Sequence, residues 1–196
     1  MTVQTGYVHL LIIGVFVVAA WLLATYLSPR LMLLPYKRAI LNQGIDNGPI
    51  PVNTLYVQPQ ELFVNPFTAL PPGSSKLLSY GTNRDTLYVF GWLDLSKGPQ
   101  VLSVPDMGDR YYSVQLTDPS KNTNFAYVGT RTTGTSAGAY LLTGPGWEGQ
   151  VPSGMTQISS PNNALLVAGR VFVEDNSDVP EAYRLAQQVQ LRPLDH

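Results

Sequence analysis

The sequence predicts a mainly β protein, an antiparallel β-sandwich or jelly roll with one N-terminal transmembrane helix before it and a short C-terminal helix after it. Three observations predict this class. A charge-free apolar segment near the N-terminus is long enough to cross a bilayer. Short apolar and aromatic runs then alternate with turns rich in Gly, Pro, Asn and Asp. No segment of helical length and periodicity separates these runs, which disfavours a parallel α/β sheet.

The first element is the apolar segment 10–27, which reads LLIIGVFVVAAWLLATYL and contains no charged residue. Extended back to Val8 it has about 20 positions, roughly 30 Å of helix, which matches a bilayer core. Trp21 and Tyr26 lie near one end, where aromatic side chains favour the membrane interface. A buried core helix and a cleaved signal peptide are the alternatives. The opening MTVQTGYVH has no Lys or Arg, and no small-x-small cleavage site follows, so we expect a retained anchor.

The next element begins at Ser28-Pro29-Arg30, which is predicted to interrupt or kink the helix. The apolar residues from Leu31 to Leu34 are too few to span, and we expect them to lie in the interface or to pack on a partner. Residues 36–43 predict a short helix that ends at Gly44. Residues 45–73 are rich in proline and predict an extended linker with one short strand at 54–57. This linker is either a spacer or a strap laid along a partner subunit.

The sheet follows from seven runs with strand composition and turn residues between them. In the run 111–117, alternation places Tyr112, Val114 and Leu116 on one face and the intervening residues on the other. The predicted strands are 86–93, 100–104, 111–117, 125–129, 139–143, 155–159 and 165–173.

The last element is a helix predicted at 178–191. Asp178 and Glu181 have the spacing of an N-cap and capping box, and Pro193 blocks continuation. We expect this helix to close an open end of the sandwich, with partner binding as the alternative. The chain therefore divides into an anchor (1–30), a juxtamembrane helix with a Pro-rich extended linker (31–76), and the β-sandwich with its helix (77–196).

Composition excludes several function classes. The net charge is −1 and the sequence pI is about 6.1, which argues against nucleic acid as a partner. The two histidines lie at positions 9 and 196, and there is no cysteine. Sites that need a positioned His or Cys, such as zinc sites and catalytic triads, are therefore not expected, and there is no phosphate-loop or dinucleotide motif. We predict no catalytic residue, metal or cofactor.

Polar residues at strand ends and turns remain as candidates for binding. They are Asn83, Arg84, Asp85, Asp94, Asp106, Arg110, Asp118, Arg131, Thr132, Thr133 and Arg170. Residues 83–85 can present an Arg/Asp pair to a pocket, and Asp85 with Asp94, or Asp106 with Asp109, can form a carboxylate pair. Structural roles in turns are the favoured alternative for these residues. The aromatic residues Tyr111, Tyr112, Tyr127, Tyr140, Trp92 and Trp147 form either a stacking floor for a ligand or ordinary core pairs.

Six blocks in this order resemble the domain-of-unknown-function family DUF1254: NRDTLY, WLDLSKGP, DRYYSVQLTD, VGTRTTG, AGAYLLTGPGW and GRVFV. The resemblance covers residues 77 to about 194. It implies a jelly-roll sandwich that is often paired with a second sandwich domain (DUF1214), and we expect this chain to be a single-domain member without that companion. Matching positions implied to matter are Asn83, Asp85, Tyr88, Asp94, Arg110, Tyr111, Gln115, Asp118, Arg131, Thr132, Gly144, Trp147 and Arg170.

The resemblance also implies a protein anchored in the bacterial inner membrane with its domain in the periplasm. The positive-inside rule favours the opposite orientation, because Arg30, Lys37 and Arg38 follow the span. We expect a non-catalytic accessory or assembly subunit of a larger membrane complex. It would contact lipid and other subunits through the transmembrane helix, residues 31–34 and the Pro-rich strap. The alternatives are an enzyme or small-ligand binder whose pocket uses Asp85, Arg110 and Arg131, and a carbohydrate- or lipid-binding module.

Overall fold

A computed structural model describes residues 2–44, 48–64 and 84–194. Its first element is one long helix, α1 (Thr2–Arg38), which continues into a π-helical turn (Ala39–Gln43). The turn ends at Gly44, as predicted, where the backbone adopts φ = 66°. An added Cβ at Gly44 would lie only 1.6 Å from the backbone oxygen of Gly48, so this reversal of the chain requires glycine.

The predicted interruption at Ser28-Pro29-Arg30 is wrong, because the helical backbone runs through it to Arg38. Proline has no N–H to donate to the carbonyl four residues before it, which here belongs to Thr25. The Ser28 hydroxyl donates to that same carbonyl at 3.4 Å and so replaces part of the missing bond. Leu31 and Leu34 therefore belong to α1 and are exposed on it. By length and composition α1 is able to cross a membrane, and the described side chains along its apolar stretch are exposed.

The described residues form nine strands in two sheets. The first sheet has the order β1-β2-β8-β4-β5 and the second has the order β7-β6-β3-β9. All pairs are antiparallel except β6 with β7, which run parallel, so the prediction of a purely antiparallel fold is wrong for the second sheet. The strands are Tyr56–Val57 (β1), Thr86–Asp94 (β2), Gln100–Val104 (β3), Tyr112–Asp118 (β4), Thr123–Gly129 (β5), Gly138–Thr143 (β6), Met155–Ser159 (β7), Ala164–Phe172 (β8) and Gln190–Pro193 (β9).

All seven predicted strands of the sheet region are confirmed to within two residues at each end. The predicted alternation in β4 is also confirmed, since Tyr112, Val114 and Leu116 are all buried. One continuous core contains buried residues from both sheets, among them Leu87 of β2 and Leu102 of β3. Full burial of a Leu side chain contributes about 1.5–3 kcal/mol relative to exposure, so this shared core is the main source of the fold's stability.

The first half of the predicted linker packs against the sheets. β1 pairs with β2, with Tyr56 opposite Phe90, and α2 (Gln60–Val64) buries Leu62 and Phe63. The remainder of the predicted linker, residues 65–76, lies outside the described residues.

The C-terminal segment differs from its prediction. The helix α3 (Val179–Gln187) is shorter than predicted, and the chain then forms β9, which pairs with β3. Asp178 is the N-cap residue, as predicted, but the predicted capping box with Glu181 is wrong. The Asp178 side chain makes no capping bond and binds Arg110, while Glu181 binds Arg184. The helix nevertheless buries its apolar side on the core that both sheets share, as Ala182, Leu185 and Ala186 show.

Candidate functional site

The outer face of the first sheet, opposite the core, carries the most distinctive surface of the described chain. Alternation along β2 directs Tyr88, Phe90 and Trp92 outward, while Leu87, Val89 and Leu93 point into the core. The same alternation along β8 directs Arg170 and Phe172 to this outer face. The two halves of the face have different surroundings.

One half of the outer face is covered by the end of α1 and the turn that follows it. Ile40 of the π-helical turn, Ile50 and Trp92 form a buried cluster, with Leu41, Tyr56, Phe90, Ala164 and Leu166 packed around it. The Lys37 ammonium lies 5.3 Å from the centroid of the Trp92 ring. The Ile50 N–H donates to the Ile40 carbonyl at 3.0 Å. The long apolar helix is therefore joined to the sheet by a packed contact in addition to the chain connection.

The other half carries five residues that we name the aromatic–arginine face: Tyr88, Tyr111, Arg131, Arg170 and Phe172. Tyr88 lies directly opposite Arg170 in the pairing of β2 with β8, and the Arg170 guanidinium carbon is 5.1 Å from the centroid of the Tyr88 ring. The Arg131 guanidinium carbon is 5.6 Å from the centroid of the Tyr111 ring. The Tyr111 carbonyl accepts a bond from the Phe172 N–H, so Tyr111 lies next to the end of β8. The Arg131–Tyr111 pair therefore neighbours the Arg170–Tyr88 pair.

Both arginines of this face are exposed, and neither makes an ion pair with a carboxylate of the described residues. A guanidinium that stacks on a ring keeps its N–H donors at its edge, where they are available to an anion. Each stacking contact contributes only about 0.5–1 kcal/mol at an exposed site. The face is thus chemically suited to a carboxylate- or phosphate-bearing partner surface, and its arginines are oriented without being neutralised.

Arg110 has a structural role. Its guanidinium binds the Asp178 carboxylate through two hydrogen bonds, of 2.5 and 2.6 Å, and also donates to the Phe172 carbonyl at 2.6 Å. The two side chains are only 15% and 17% exposed. The Arg110 guanidinium lowers the pKa of Asp178, and Asp178 raises the pKa of Arg110. This bidentate pair ties the start of α3 to the segment before β4.

Asp94 also has a structural role. Its carboxylate accepts bonds from the Ser96 hydroxyl at 2.6 Å and the Ser96 N–H at 3.0 Å, and these bonds hold its pKa below the usual value for aspartate. The Asn53 side chain bonds to both backbone groups of Asp94. Asp85 and Asp94 stand at opposite ends of β2, about 30 Å apart at the rise of a strand. The less favoured alternative, a carboxylate pair of Asp85 with Asp94, is therefore wrong.

The other predicted site residues are dispersed. Asp118 is buried and accepts bonds from the Ser120 N–H and the Asn162 amide, and the Thr132 hydroxyl donates to the Tyr127 carbonyl. Gln115 donates to the Thr117 hydroxyl. Arg84 and Asp85 are exposed and lie before β2, and Gly144 and Trp147 are half-buried and lie after β6. Asn83 lies outside the described residues.

The second predicted carboxylate pair also lies in a turn, where Asp106 accepts a bond from the Gly108 N–H at 2.8 Å. Across residues 2–44, 48–64 and 84–194, no group of three or more His, Asp or Glu side chains is placed to hold a metal ion. Of the predicted site residues that the structure describes, Tyr88 lies with Arg170 and Tyr111 lies with Arg131, and the others do not form a common cluster.

Two features escaped the sequence analysis. Phe172 shares a face with Arg170 two positions earlier, a spacing that alternation in 165–173 does signal. A groove of about 480 Å³ also opens between residues 53–59 and the segment from Tyr183 to Leu191. No local signal marks this groove, because its two walls are far apart in the sequence.

Comparison with known proteins identifies a matching family model and similar solved structures. A family model described as "Protein of unknown function (DUF1254)" matches residues 64–193. The structure is similar to that of the VPA0106 protein from Vibrio parahaemolyticus, with 25% identity, a TM-score of 0.58, and coverage of 74% of this chain and 31% of that one. It also resembles an uncharacterised protein from Burkholderia cenocepacia, with 14% identity, a TM-score of 0.41, and coverage of 73% and 34%. The chain thus spans about a third of the length of these two proteins. No curated protein matches it.

Proposed function

The chain belongs to the DUF1254 family of proteins of unknown function, and from that premise we propose that it is a single-pass inner-membrane protein serving as a non-catalytic accessory subunit of a larger bacterial membrane complex. The observation that carries this proposal is the joint between α1 and the outer face of the first sheet. Trp92, Ile40 and Ile50 are each at most 5% exposed in that joint. A passive tether needs no such contact, whereas a subunit that presents a helix and a sheet face to one partner does.

The helix is the first part of the proposed interface. Its described apolar side chains are exposed along the whole apolar stretch, and Leu31, Met32 and Leu34 extend this surface toward the sheet. Lipid can cover the apolar stretch within a bilayer. The exposed residues nearer the sheet are better covered by another protein, because they lie beyond the length that a bilayer core accommodates.

The aromatic–arginine face is the second part. Its two guanidinium groups have no ion pair with any carboxylate in the described part of the chain, and they favour a partner surface that bears carboxylates or phosphates. The rings beneath them exclude water from one side of each cation. A non-catalytic role is supported by Arg110, Asp94 and Asp118, whose polar groups are engaged within the fold. We also propose that the two sheets form a sandwich of jelly-roll type.

We propose the periplasm as the location of the sheets, on the resemblance to anchored, exported family members. The basic residues Arg30, Lys37 and Arg38 favour the cytoplasm instead. Lys37 packs on Trp92 and so is part of the joint between helix and sheet. A reporter fused after His196 that is active only in the periplasm tests the orientation, and activity of a cytoplasmic reporter at that position would reverse it.

The proposed function is tested by purification from native membranes in mild detergent. The wild-type chain is expected to retain partner proteins at a fixed ratio. The double variant Arg131→Ala with Arg170→Ala is expected to lose most of them, because it removes both cations of the face. Arg184→Ala is the matched control: Arg184 is exposed on α3 and paired with Glu181, away from this face. Recovery of a monomer from wild-type membranes contradicts the proposal.

A second candidate function is binding of a small anionic or carbohydrate ligand on the same face. It is favoured by the exposed rings of Phe172 and Tyr127, since such rings provide stacking surfaces. Screening the full chain against glycan and lipid arrays, with the Arg131→Ala/Arg170→Ala variant as control, distinguishes this function. A single ligand class lost in the variant supports it, and equal signals from both proteins exclude it.

A further inference from the structure

The groove between β1 and β9 lies where the open edges of the two sheets meet. β1 is the edge strand of the first sheet and β9 is the edge strand of the second. One wall is the extended segment from Asn53 to Pro59, and the other contains the end of α3 and the start of β9. The volume of about 480 Å³ lies within the range of ligand-binding grooves.

The backbone of Leu55 and of β1 presents hydrogen-bonding groups to this groove that have no partner among the described residues. The Gln58 N–H donates to the Tyr88 carbonyl, and Tyr56 lies opposite Phe90, so Gln58 and Tyr56 direct their backbone groups toward β2. In an antiparallel ladder the intervening residues direct theirs the other way. The N–H and C=O of Leu55 and Val57 therefore face away from β2, and no bond to either is found in the described part of the chain. This is the pattern of an open strand edge.

The side chains that line the groove indicate the chemistry of its occupant. The apolar residues Leu55, Val57, Val189 and Leu191 pack against the core and form its floor. The remaining lining residues are neutral, and there is no Asp, Glu, Lys, Arg or His among them. Among the described lining residues a charged occupant would find no counter-ion, whereas an uncharged extended chain finds backbone partners along β1 and apolar surface below.

We propose that this groove is a strand-acceptor site, which binds an extended, uncharged segment of a partner polypeptide by adding it to the open edge of β1. The segment bonds to the N–H and C=O groups of Leu55 and Val57 and places alternate side chains on the apolar floor. This inference rests on the proposed accessory-subunit function and names the kind of partner segment that would be held. It uses a surface separate from the aromatic–arginine face.

The shape of the acceptor edge depends on Gly91. A Cβ at that position would lie 2.3 Å from the Thr54 carbonyl oxygen, so β1 reaches its place beside β2 only with glycine there. The approach of β1 to β2 sets the position of its outer edge, and hence the width of the groove.

The test uses the full chain in detergent and a fluorescent hexapeptide of alternating Thr and Val with an amidated C-terminus. Val57→Pro removes the outward N–H and leaves the bonds from β1 to β2 in place, while Val57→Ala is the matched control that keeps the N–H and shortens the same side chain. We expect saturable 1:1 binding, weakened about tenfold by Val57→Pro and little changed by Val57→Ala. Hydrogen exchange should slow at Leu55 and Val57 when the peptide binds.

Four results would overturn the inference, of which the first three concern the peptide. They are equal binding by the Val57→Pro variant, exchange protection elsewhere in the chain, and no binding of the peptide by a wild-type protein whose Tyr56 and Gln58 amides are protected. Dimerisation that Val57→Pro abolishes would also overturn it, because the occupant would then be a second copy. Failure of this inference can be distinguished from failure of the proposed function. If the Val57→Pro variant retains the partner proteins and the Arg131→Ala/Arg170→Ala variant loses them, the proposed function is supported even though the strand-acceptor site is not.

Discussion

Replacing Arg110 with alanine tests whether this residue supports the fold or serves a binding site. The substitution removes two charge-assisted bonds to Asp178 and one bond to the Phe172 carbonyl. Asp178 then keeps only the bond from the Glu174 N–H, at 2.9 Å. Breaking a fully buried ion pair costs about 3–5 kcal/mol, and this pair is partly exposed, so we expect a loss of about 2–3 kcal/mol in the free energy of unfolding.

The measurement is thermal or urea unfolding of the full chain in detergent, followed by tryptophan fluorescence. A loss of this size corresponds to a fall in Tm of about 5–10 °C for a protein of this size. A double-mutant cycle with Asp178→Ala should give a coupling energy of about 1–3 kcal/mol. Arg110→Lys should recover less than half of the loss, because an ammonium cannot bind both carboxylate oxygens in the same geometry.

The pH dependence gives an independent check on the same pair. The folded-state pKa of Asp178 is lowered below its unfolded value. The pair therefore contributes its full stability above about pH 4, the ordinary value for aspartate, and loses it as the pH falls through the folded-state pKa. The gap in stability between wild type and Arg110→Ala should narrow below about pH 4. An unchanged Tm together with lost partner binding would refute the structural role and return Arg110 to the interface.

The remaining predictions concern the other contacts. Gly91→Ala should displace β1 and cost about 1–3 kcal/mol in unfolding free energy, with faster hydrogen exchange at residues 54–58 and unchanged exchange in β6. Trp92→Ala should loosen the joint to α1, so that a protease cleaves residues 44–52 faster while the core, measured by urea unfolding, changes less. Asp94→Ala should cost about 1 kcal/mol by removing the side-chain cap on Ser96, and that cost should vanish at acid pH because the pKa of Asp94 is lowered in the fold. Arg131→Ala with Arg170→Ala should lower the Tm by about 2–8 °C, because the two stacking contacts together contribute only about 1–2 kcal/mol.

The strands were predictable because their information is local. Period-two alternation and the turn residues between runs marked strands such as Gln100–Val104 and Met155–Ser159 at their exact ends. β9 was not predictable in this way, since Gln190–Pro193 lacks a strand composition and becomes a strand by pairing with β3. The parallel pairing of β6 with β7 likewise depends on topology, because each run alone has the same signal in either orientation.

Long-range competition explains the errors at the candidate site. Asp178 has the local spacing of a helix cap, but Arg110, 68 positions earlier, offers a stronger charge-assisted bond and takes its carboxylate. The stacking of Arg131 on Tyr111 and the contact of Lys37 with Trp92 join segments whose proximity only the folded register creates. Alternation within 165–173 is the one local signal from which a common face of Arg170 and Phe172 could have been predicted.

The central claim is that the helix and the aromatic–arginine face form one docking surface for a partner subunit. The most direct measurement places a photo-reactive phenylalanine analogue at Phe172 of the full chain in native membranes, with the same analogue at exposed Gln150 as control. We expect a discrete heteromeric adduct of constant mass from position 172 and none from position 150. An uncrosslinked monomer from position 172, or the same adducts from both positions, would contradict it.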